Sequence, residues 1–322
     1  IVIGSYYNHF SDMPKLSGLV YVYDRVGLST NLVGILSASD PVFAQGFGYS
    51  VATSADGKTI VVGSRTRQSV NIFDRVGNTF NEVGILTGSY TDNSSVKFGN
   101  FVECSADGNV IVVSDIENQN PDITSGDGGL VYVYDRDGDD FNEVGILTGT
   151  GGDFGISLAT SFDGNTIVVG ASTAFHPGLT NVETGLVYVY DREYEGVGTG
   201  VTYNQVGILT GTYATDDNDY FGTSVATNID GNIIIVGASG DEVEGIGHQG
   251  VVYVYDREND LRVGGGTTFR QVGILTGSNP LNSGAGNWDK FGHRVACSAD
   301  GNLIAISAPA DEIDGVTPNK SG

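Results

Sequence analysis

A run of five apolar residues, Leu-Val-Tyr-Val-Tyr or a close variant, recurs along the chain and is followed each time by Asp-Arg. The run and its Asp-Arg end at Arg25, Arg75, Arg136, Arg192 and Arg257. A strand in a sheet with one covered face alternates apolar and polar residues, whereas this run is apolar throughout in four of its five copies. The pattern therefore predicts a strand that is covered on both faces, with Tyr21, Tyr132, Tyr188 and Tyr253 buried.

Three other signatures recur in step with this strand. Phe-Gly begins at Phe47, Phe98, Phe154, Phe221 and Phe291, and Val-Gly-Ile-Leu begins at Val33, Val83, Val144, Val206 and Val272. An Asp-Gly turn follows each Phe-Gly, and its glycine supplies the positive φ of a tight hairpin. Each unit is predicted to form four strands, which in the third complete unit are A (154–161), B (166–171), C (186–191) and D (203–209).

Repeated four-stranded units of roughly 50 to 70 residues predict an all-β protein, a β-propeller of four-stranded antiparallel blades. A β-sandwich is the main alternative, but it gives no reason for near-identical units. We expect one domain over 1–322, a piece of a longer chain, with partial units at 1–46 and 291–322 and complete units at 47–97, 98–153, 154–220 and 221–290. Six or seven blades are predicted, or five if the terminal strands share a blade.

The Phe-Gly opening, the Asp-Gly hairpin and the Val-Val-Gly-Ala-Ser ending of strand B resemble the FG-GAP repeat. That repeat builds the propeller head of integrin α subunits. The resemblance implies partner binding on the face that carries the B–C and D–A loops. Many members carry a calcium loop between strands A and B, but here the loop has shrunk to a tight turn. We therefore predict no metal at Asp56, Asp107, Asp163, Asp230 and Asp300.

Charge narrows the classes of partner. The chain has 39 acidic and 15 basic side chains and a formal net charge of −24, so it repels phosphate backbones and anionic lipids. No apolar run reaches the length of a membrane span. Nucleic-acid binding and membrane insertion are therefore not expected. Cys104 and Cys297 hold the same repeat position in non-neighbouring units, so we predict free thiols.

The candidate site residues lie on the loop face, the side of the ring with the B–C and D–A loops, because these loops vary while the scaffold repeats. The candidates for ligand binding are Tyr213, Tyr220, Trp288, Arg65 and Arg67. The two arginines suit a carboxylate or sulfate group. The candidates for a calcium site, with a solvated acidic loop as the alternative, are Asp216, Asp217, Asp219, Asp241, Glu242, Glu244, Asp311 and Asp314. No other cofactor is predicted.

The remaining polar signatures indicate structure rather than chemistry. The Asp-Arg pair recurs five times, which favours a turn or hydrogen bonds between blades over catalysis. The histidines, His9, His176, His248 and His293, have no metal-ligand spacing. The sequence contains no nucleophile elbow, phosphate loop, dinucleotide fingerprint or zinc-protease motif.

These observations together predict a non-enzymatic binding or structural propeller. It is expected outside the cell, on the cell surface or on a virion, where its loop face contacts a protein or glycan within a larger assembly. One alternative is a polysaccharide-active lyase or hydrolase. Another is a purely architectural repeat of a filament or particle, and fold alone does not choose among the three.

Overall fold

The computed structural model of the chain describes residues 1–8, 17–39, 46–89, 97–116, 128–150, 152–180, 182–194, 200–213, 217–242, 249–259, 267–277 and 289–309. In these residues, 21 strands form six antiparallel sheets. The same residues contain no helix, and hence none that is long and apolar enough to cross a membrane.

The strands are numbered β1 to β21 in chain order and are grouped here by sheet. Their bounds are β1 Val2–Ser5, β2 Leu19–Val26 and β3 Ser29–Leu36; β4 Phe47–Thr53, β5 Thr59–Ser64, β6 Ser69–Val76 and β7 Thr79–Leu86; β8 Val102–Cys104, β9 Val110–Asp115, β10 Leu130–Asp137 and β11 Asp140–Thr148; β12 Gly152–Thr160, β13 Thr166–Thr173, β14 Leu186–Tyr194 and β15 Val201–Leu209; β16 Phe221–Thr227, β17 Ile233–Ala238, β18 Val251–Asn259 and β19 Thr267–Thr276; β20 Arg294–Cys297 and β21 Ile304–Ser307.

The four central sheets each contain the predicted strands A, B, C and D in that order. The first sheet, β1 to β3, holds the B, C and D positions, and the last sheet, β20 and β21, holds A and B. The four strands predicted for the third complete unit are confirmed as β12 to β15, with ends that differ by a few residues. The fold is thus the predicted all-β propeller, while the number of blades in a complete ring stays a prediction.

Strand C is covered on both faces, as its continuous apolarity predicts. In β10, Leu130 and Tyr132 pack into the core between the second and third sheets. The intervening Val131 and Val133 pack into the core between the third and fourth sheets. One strand therefore contributes alternate side chains to two interfaces, which explains why its first five positions are all apolar.

The Phe-Gly signature fits one blade against the next. The backbone N–H of Phe221 donates to the carbonyl of Thr184, the second residue before strand C of the preceding blade. Gly222 has a φ of +87°, a conformation that favours glycine. Gly185 lies so close that a Cβ there would be 2.1 Å from the carbonyl oxygen of Phe221. Glycine at both places therefore permits the close contact of two backbones.

The A–B hairpins use their aspartates internally. Oδ1 of Asp163 accepts hydrogen bonds from the Ser161 hydroxyl at 2.8 Å and from the Asn165 backbone N–H at 3.0 Å, and its Oδ2 accepts from the Asn165 side chain. Burial opposes ionisation, but these hydrogen bonds outweigh it and lower the pKa of Asp163. The carboxylate is thus part of the turn, as its counterparts in three other hairpins are.

The repeated Asp-Arg pair ties neighbouring blades together. Each of four arginines at the end of strand C donates two hydrogen bonds to the aspartate of the Asp-Arg pair in the preceding blade. The pairs are Arg75–Asp24, Arg136–Asp74, Arg192–Asp135 and Arg257–Asp191. Such bidentate, charge-assisted pairs are strong and geometrically specific. The prediction of hydrogen bonds between blades is therefore confirmed.

Candidate functional site

Strand direction separates the two faces of the propeller. Strand B ends and strand A begins on the loop face, so residues just after β1 and β5 and those early in β4 lie there. Strand A ends at the A–B hairpins, which form the opposite, hairpin face. Side chains that could bind a ligand or take part in a reaction occur on both faces.

A cluster of aromatic side chains lies around Arg65 on the loop face. The Arg65 guanidinium carbon is 5.1 Å from the centre of the Tyr49 ring, and its Nη1 donates to the Tyr49 hydroxyl at 3.1 Å. The Tyr6 ring packs edge-on against Tyr49 with centroids 5.1 Å apart, and Tyr7 follows at 4.2 Å from Tyr6. These four residues, the aromatic cluster, join the ends of the first and second sheets. Tyr7 is 66% exposed, so the cluster is open to solvent.

Arg65 was predicted as a ligand-binding residue, and the structure gives it aromatic neighbours that the sequence did not reveal. The guanidinium is partly buried over the Tyr49 ring, where a cation–π contact orients it. Arg67 lies two residues further along the same loop and is exposed. The one basic loop predicted from the sequence therefore combines positive charge with aromatic surface.

Asp241 is a buried residue that accepts a hydrogen bond from a tyrosine of strand C. Asp241 is fully buried; its Oδ2 accepts a hydrogen bond from the Tyr253 hydroxyl, and its Oδ1 accepts one from the Glu242 backbone. Tyr213 approaches the same place, since its backbone N–H donates to the Tyr253 hydroxyl at 3.1 Å. Burial, with the negative charge of Asp241 next, raises the pKa of Tyr253. Three predicted positions thus meet, but around a structural hydrogen bond.

The segment before Phe221 is also folded against its neighbours. Asp219 is 2% exposed, whereas Asp217 is exposed and accepts a hydrogen bond from the Glu183 backbone at 2.9 Å. Tyr220 has a φ of +55°, and its hydroxyl donates to Oδ1 of Asn218. Asp217 therefore ties this D–A loop to the B–C loop of the preceding blade.

The calcium site stays a prediction. Within the described ranges, no three His, Cys, Asp or Glu side chains are grouped so that they could hold a metal ion. Both oxygens of Asp241 already accept hydrogen bonds. Four candidate metal ligands, Asp216, Glu244, Asp311 and Asp314, and the candidate ligand-binding residue Trp288 lie outside the described residues.

The sequence analysis missed Glu103, which lies in strand A of the third sheet. The same repeat position holds Ala52, Ala159, Ala226 and Ala296 in the other units. Glu103 lines a cavity of ≈ 490 Å³ formed by strand A of five consecutive units near the hairpin face. Burial raises the pKa of its carboxyl to about 7. An alignment of the repeats with one another would have found this glutamate as the single departure from alanine.

Both cysteines line the same cavity. Cys104 is buried and Cys297 is partly exposed, and both are free thiols, as predicted. Burial raises the pKa of each thiol. They are therefore poor nucleophiles at neutral pH.

Sequence comparison agrees with the repeat architecture. The family model of the FG-GAP repeat matches residues 203–255, which run from strand D of the fourth sheet through strand C of the fifth. No curated protein matches the sequence.

Two solved structures share the fold. Periplasmic gluconolactonase PpgL of Pseudomonas aeruginosa is 15% identical with a TM-score of 0.57, and the match covers 95% of this chain and 74% of that one. Sqt1 of Chaetomium thermophilum is 16% identical with a TM-score of 0.53, and the match covers 95% of this chain and 63% of that one. This chain thus spans less than two thirds of the length of Sqt1. Both are β-propellers, and at this identity the likeness shows the fold alone.

Proposed function

The chain is a β-propeller repeat protein, and on that premise we propose that it is a non-catalytic binding module of a larger assembly. It acts outside the cell, on a cell surface or on a virion, and holds its partner with the loop face. The observation that carries the proposal is the aromatic cluster, in which exposed Tyr7 and partly buried Arg65 stand together at the junction of two sheets.

The composition of the cluster favours a glycan over a protein partner. Tyrosine rings offer a large, stiff, amphipathic surface that contacts the C–H face of a sugar while the hydroxyls bond its oxygens. Arg65 presents planar donors that match a carboxylate or sulfate. Because the rest of the chain is strongly acidic, a long polyanion would be repelled. The best partner is therefore a short glycan with one anionic group.

The proposal is tested by a binding screen with sugars that carry or lack a carboxylate or sulfate. We expect binding of an anionic oligosaccharide and at least tenfold weaker binding by Tyr7→Ala and by Arg65→Gln. Tyr194→Ala is the matched control, because Tyr194 is 67% exposed but lies at the opposite end of a strand C. It should bind like the native protein.

Other outcomes separate the rival hypotheses. Release of shortened sugar from the bound glycan would identify a lyase or hydrolase and contradict a non-catalytic role. Binding that Tyr7→Ala and Arg65→Gln leave unchanged would place the site elsewhere. Failure to bind any sugar, together with ordered self-association, would favour the architectural repeat.

A further inference from the structure

The carboxyl of Glu103 lies in a cavity that is lined by apolar side chains and hydroxyls. Its neighbours on the adjoining strands are alanines and threonines, and the described residues that line the cavity include no Lys, Arg or His. Burial raises the pKa of this carboxyl, and a hydrogen bond from the Cys104 backbone opposes that shift. A carboxyl in such a place destabilises the fold once it ionises.

Backbone hydrogen bonds between neighbouring hairpins preform the cavity around Glu103. The residue preceding each Asp-Gly turn donates its backbone N–H to the carbonyl of the matching residue in the next blade, in the chain Ala55→Ala106→Phe162→Ile229→Ala299. These four bonds measure 2.8 to 2.9 Å. They link the hairpins in an arc at the mouth of the cavity. A preformed cavity needs little ordering when it binds.

Two threonine hydroxyls of the wall donate hydrogen bonds to backbone carbonyls. The Thr160 hydroxyl donates to the Cys104 carbonyl at 3.4 Å, and the Thr227 hydroxyl donates to the Ile233 carbonyl at 2.9 Å. Phe162 and Ile229 stand where other units have alanine, and they add exposed apolar surface at the mouth. The cavity thus combines one carboxylate with an apolar wall.

We propose that this cavity binds a small organic cation, with the ammonium of a primary amine on the Glu103 carboxylate and its alkyl part against Phe162 and Ile229. The volume of ≈ 490 Å³ falls in the range of small-molecule sites. A divalent metal fits poorly, because Ca²⁺ takes six to eight oxygen ligands and a single carboxylate supplies two. The proposal concerns the hairpin face and is independent of glycan binding at the loop face.

Affinity should follow the ionisation of Glu103. Among the described residues of the cavity wall, the other titratable groups are Cys104 and Cys297, whose raised pKa values keep them neutral at pH 8. The hairpin carboxylates beside the mouth, Asp56, Asp107, Asp163 and Asp300, have lowered pKa values and stay ionised. Asp230 lies in the remaining hairpin and is exposed. Between pH 6 and pH 8, Glu103 is therefore the titrating group.

The test is calorimetric titration of the whole chain with n-butylammonium chloride, with n-butanol as the uncharged probe. We expect saturable binding of the amine at pH 8, about tenfold weaker binding at pH 6 as the ionised fraction falls, and at least tenfold weaker binding of the alcohol. Glu103→Gln should lose the preference for the amine. Glu193→Gln removes an exposed carboxyl and should change nothing.

A second variant distinguishes loss of the carboxyl from a folding defect. In Glu103→Ala/Ala159→Glu the carboxyl moves to the same repeat position one blade further along, inside the same cavity. Recovery of amine binding supports the proposal. Equal binding of the amine by Glu103→Gln and the native protein, or no saturable binding at pH 8, overturns it. Neither result bears on binding of glycan by Tyr7 and Arg65.

Discussion

The interior sheets and the two end sheets carry the same sequence signatures but differ in burial. Tyr188, in an interior sheet, is 1% exposed, and its ring meets Phe154 edge-on at 5.3 Å. Tyr21 holds the same position in the first sheet and is partly exposed, so it is less completely buried than Tyr132, Tyr188 and Tyr253. It lies in a cross-strand row between Ile3, 50% exposed, and Ile35, 38% exposed.

The hydrogen bonds between blades differ in the same way. Asp135 in an interior sheet receives the bidentate Arg192. Asp256 holds the same position in the fifth sheet, and the ion pair that the described residues give it is with Arg270 of its own blade, at 3.9 Å. Arg25 in the first sheet donates to the carbonyl of Gly27, a bond that Arg75 and Arg136 also make with Gly77 and Gly138 in addition to their pairs between blades. Strands of the same sequence are therefore fully buried or partly exposed according to whether a neighbouring blade covers them.

The largest expected effect tests this difference in burial. Tyr188→Ala should lower the free energy of unfolding by about 4 kcal/mol, since it deletes a fully buried aromatic ring and leaves a cavity. Tyr21→Ala should cost about 1 kcal/mol, because its side chain is already partly exposed to water. Urea unfolding of both variants measures the difference. Equal losses would mean that the two tyrosines are equally well packed and would contradict the difference in burial.

The second effect concerns Glu103 on the cavity wall, whose contribution to the free energy of unfolding depends on pH. The pKa of Glu103 lies near 7 in the fold, above its ordinary 4.5, so the fold prefers the protonated form. Stability from this group is complete below pH 4.5 and is lost as pH rises through 7. Glu103→Ala should therefore stabilise the protein by about 3 kcal/mol at pH 8 and little at pH 4.

Ala296 in the last sheet is the control for this prediction. It occupies the repeat position of Glu103 but is exposed. Ala296→Glu should therefore change stability by less than about 0.5 kcal/mol at either pH. Thermal unfolding of both variants at the two pH values is the measurement. A native-like pH profile for Glu103→Ala would show that this carboxyl is solvated.

The third effect concerns the pairs between blades. Asp135→Asn should cost about 2 kcal/mol, because it removes the charge from two hydrogen bonds to Arg192, a side chain only 8% exposed. Asp256→Asn should cost under about 0.5 kcal/mol, as expected for an exposed pair at 3.9 Å. Chemical denaturation at moderate salt compares them. A loss for Asp256→Asn as large as for Asp135→Asn would contradict the distinction between a bidentate pair across two blades and an exposed pair within one blade.

The smallest effect is kinetic and uses the two cysteines as reporters of one repeat position. Cys104 is buried in an interior sheet, and Cys297 is partly exposed in the last sheet. Burial raises the pKa of both thiols, and that of Cys104 lies well above the usual range. A disulfide reagent at pH 8 should therefore modify Cys297 at least about tenfold faster than Cys104. Single Cys→Ala variants assign the two phases, and equal rates would disprove the order.

The candidate sites were partly predictable. Arg65 was identified because it occupies the one basic B–C loop, but Tyr6 and Tyr49 come from separate elements, and only folding places them beside it. Asp241 was predicted to be a surface ligand. The structure buries it under the Tyr253 hydroxyl, because whether a loop carboxylate points outwards depends on the strand that the loop crosses. Glu103 was visible in the repeats as the only acid among alanines.

The local and periodic features of this protein follow from its amino-acid sequence alone. The spacing of Phe-Gly, Asp-Gly and Leu-Val-Tyr-Val-Tyr determines four strands per unit, their tight hairpins and a strand C that needs cover on both faces, because each feature depends on residues close together in the chain. Tertiary structure alone decided which copies receive that cover, which aspartate meets which arginine, and that Glu103 faces a shared cavity. Those outcomes depend on packing between blades about fifty or more residues apart, and a local pattern carries no information about a neighbour at that distance.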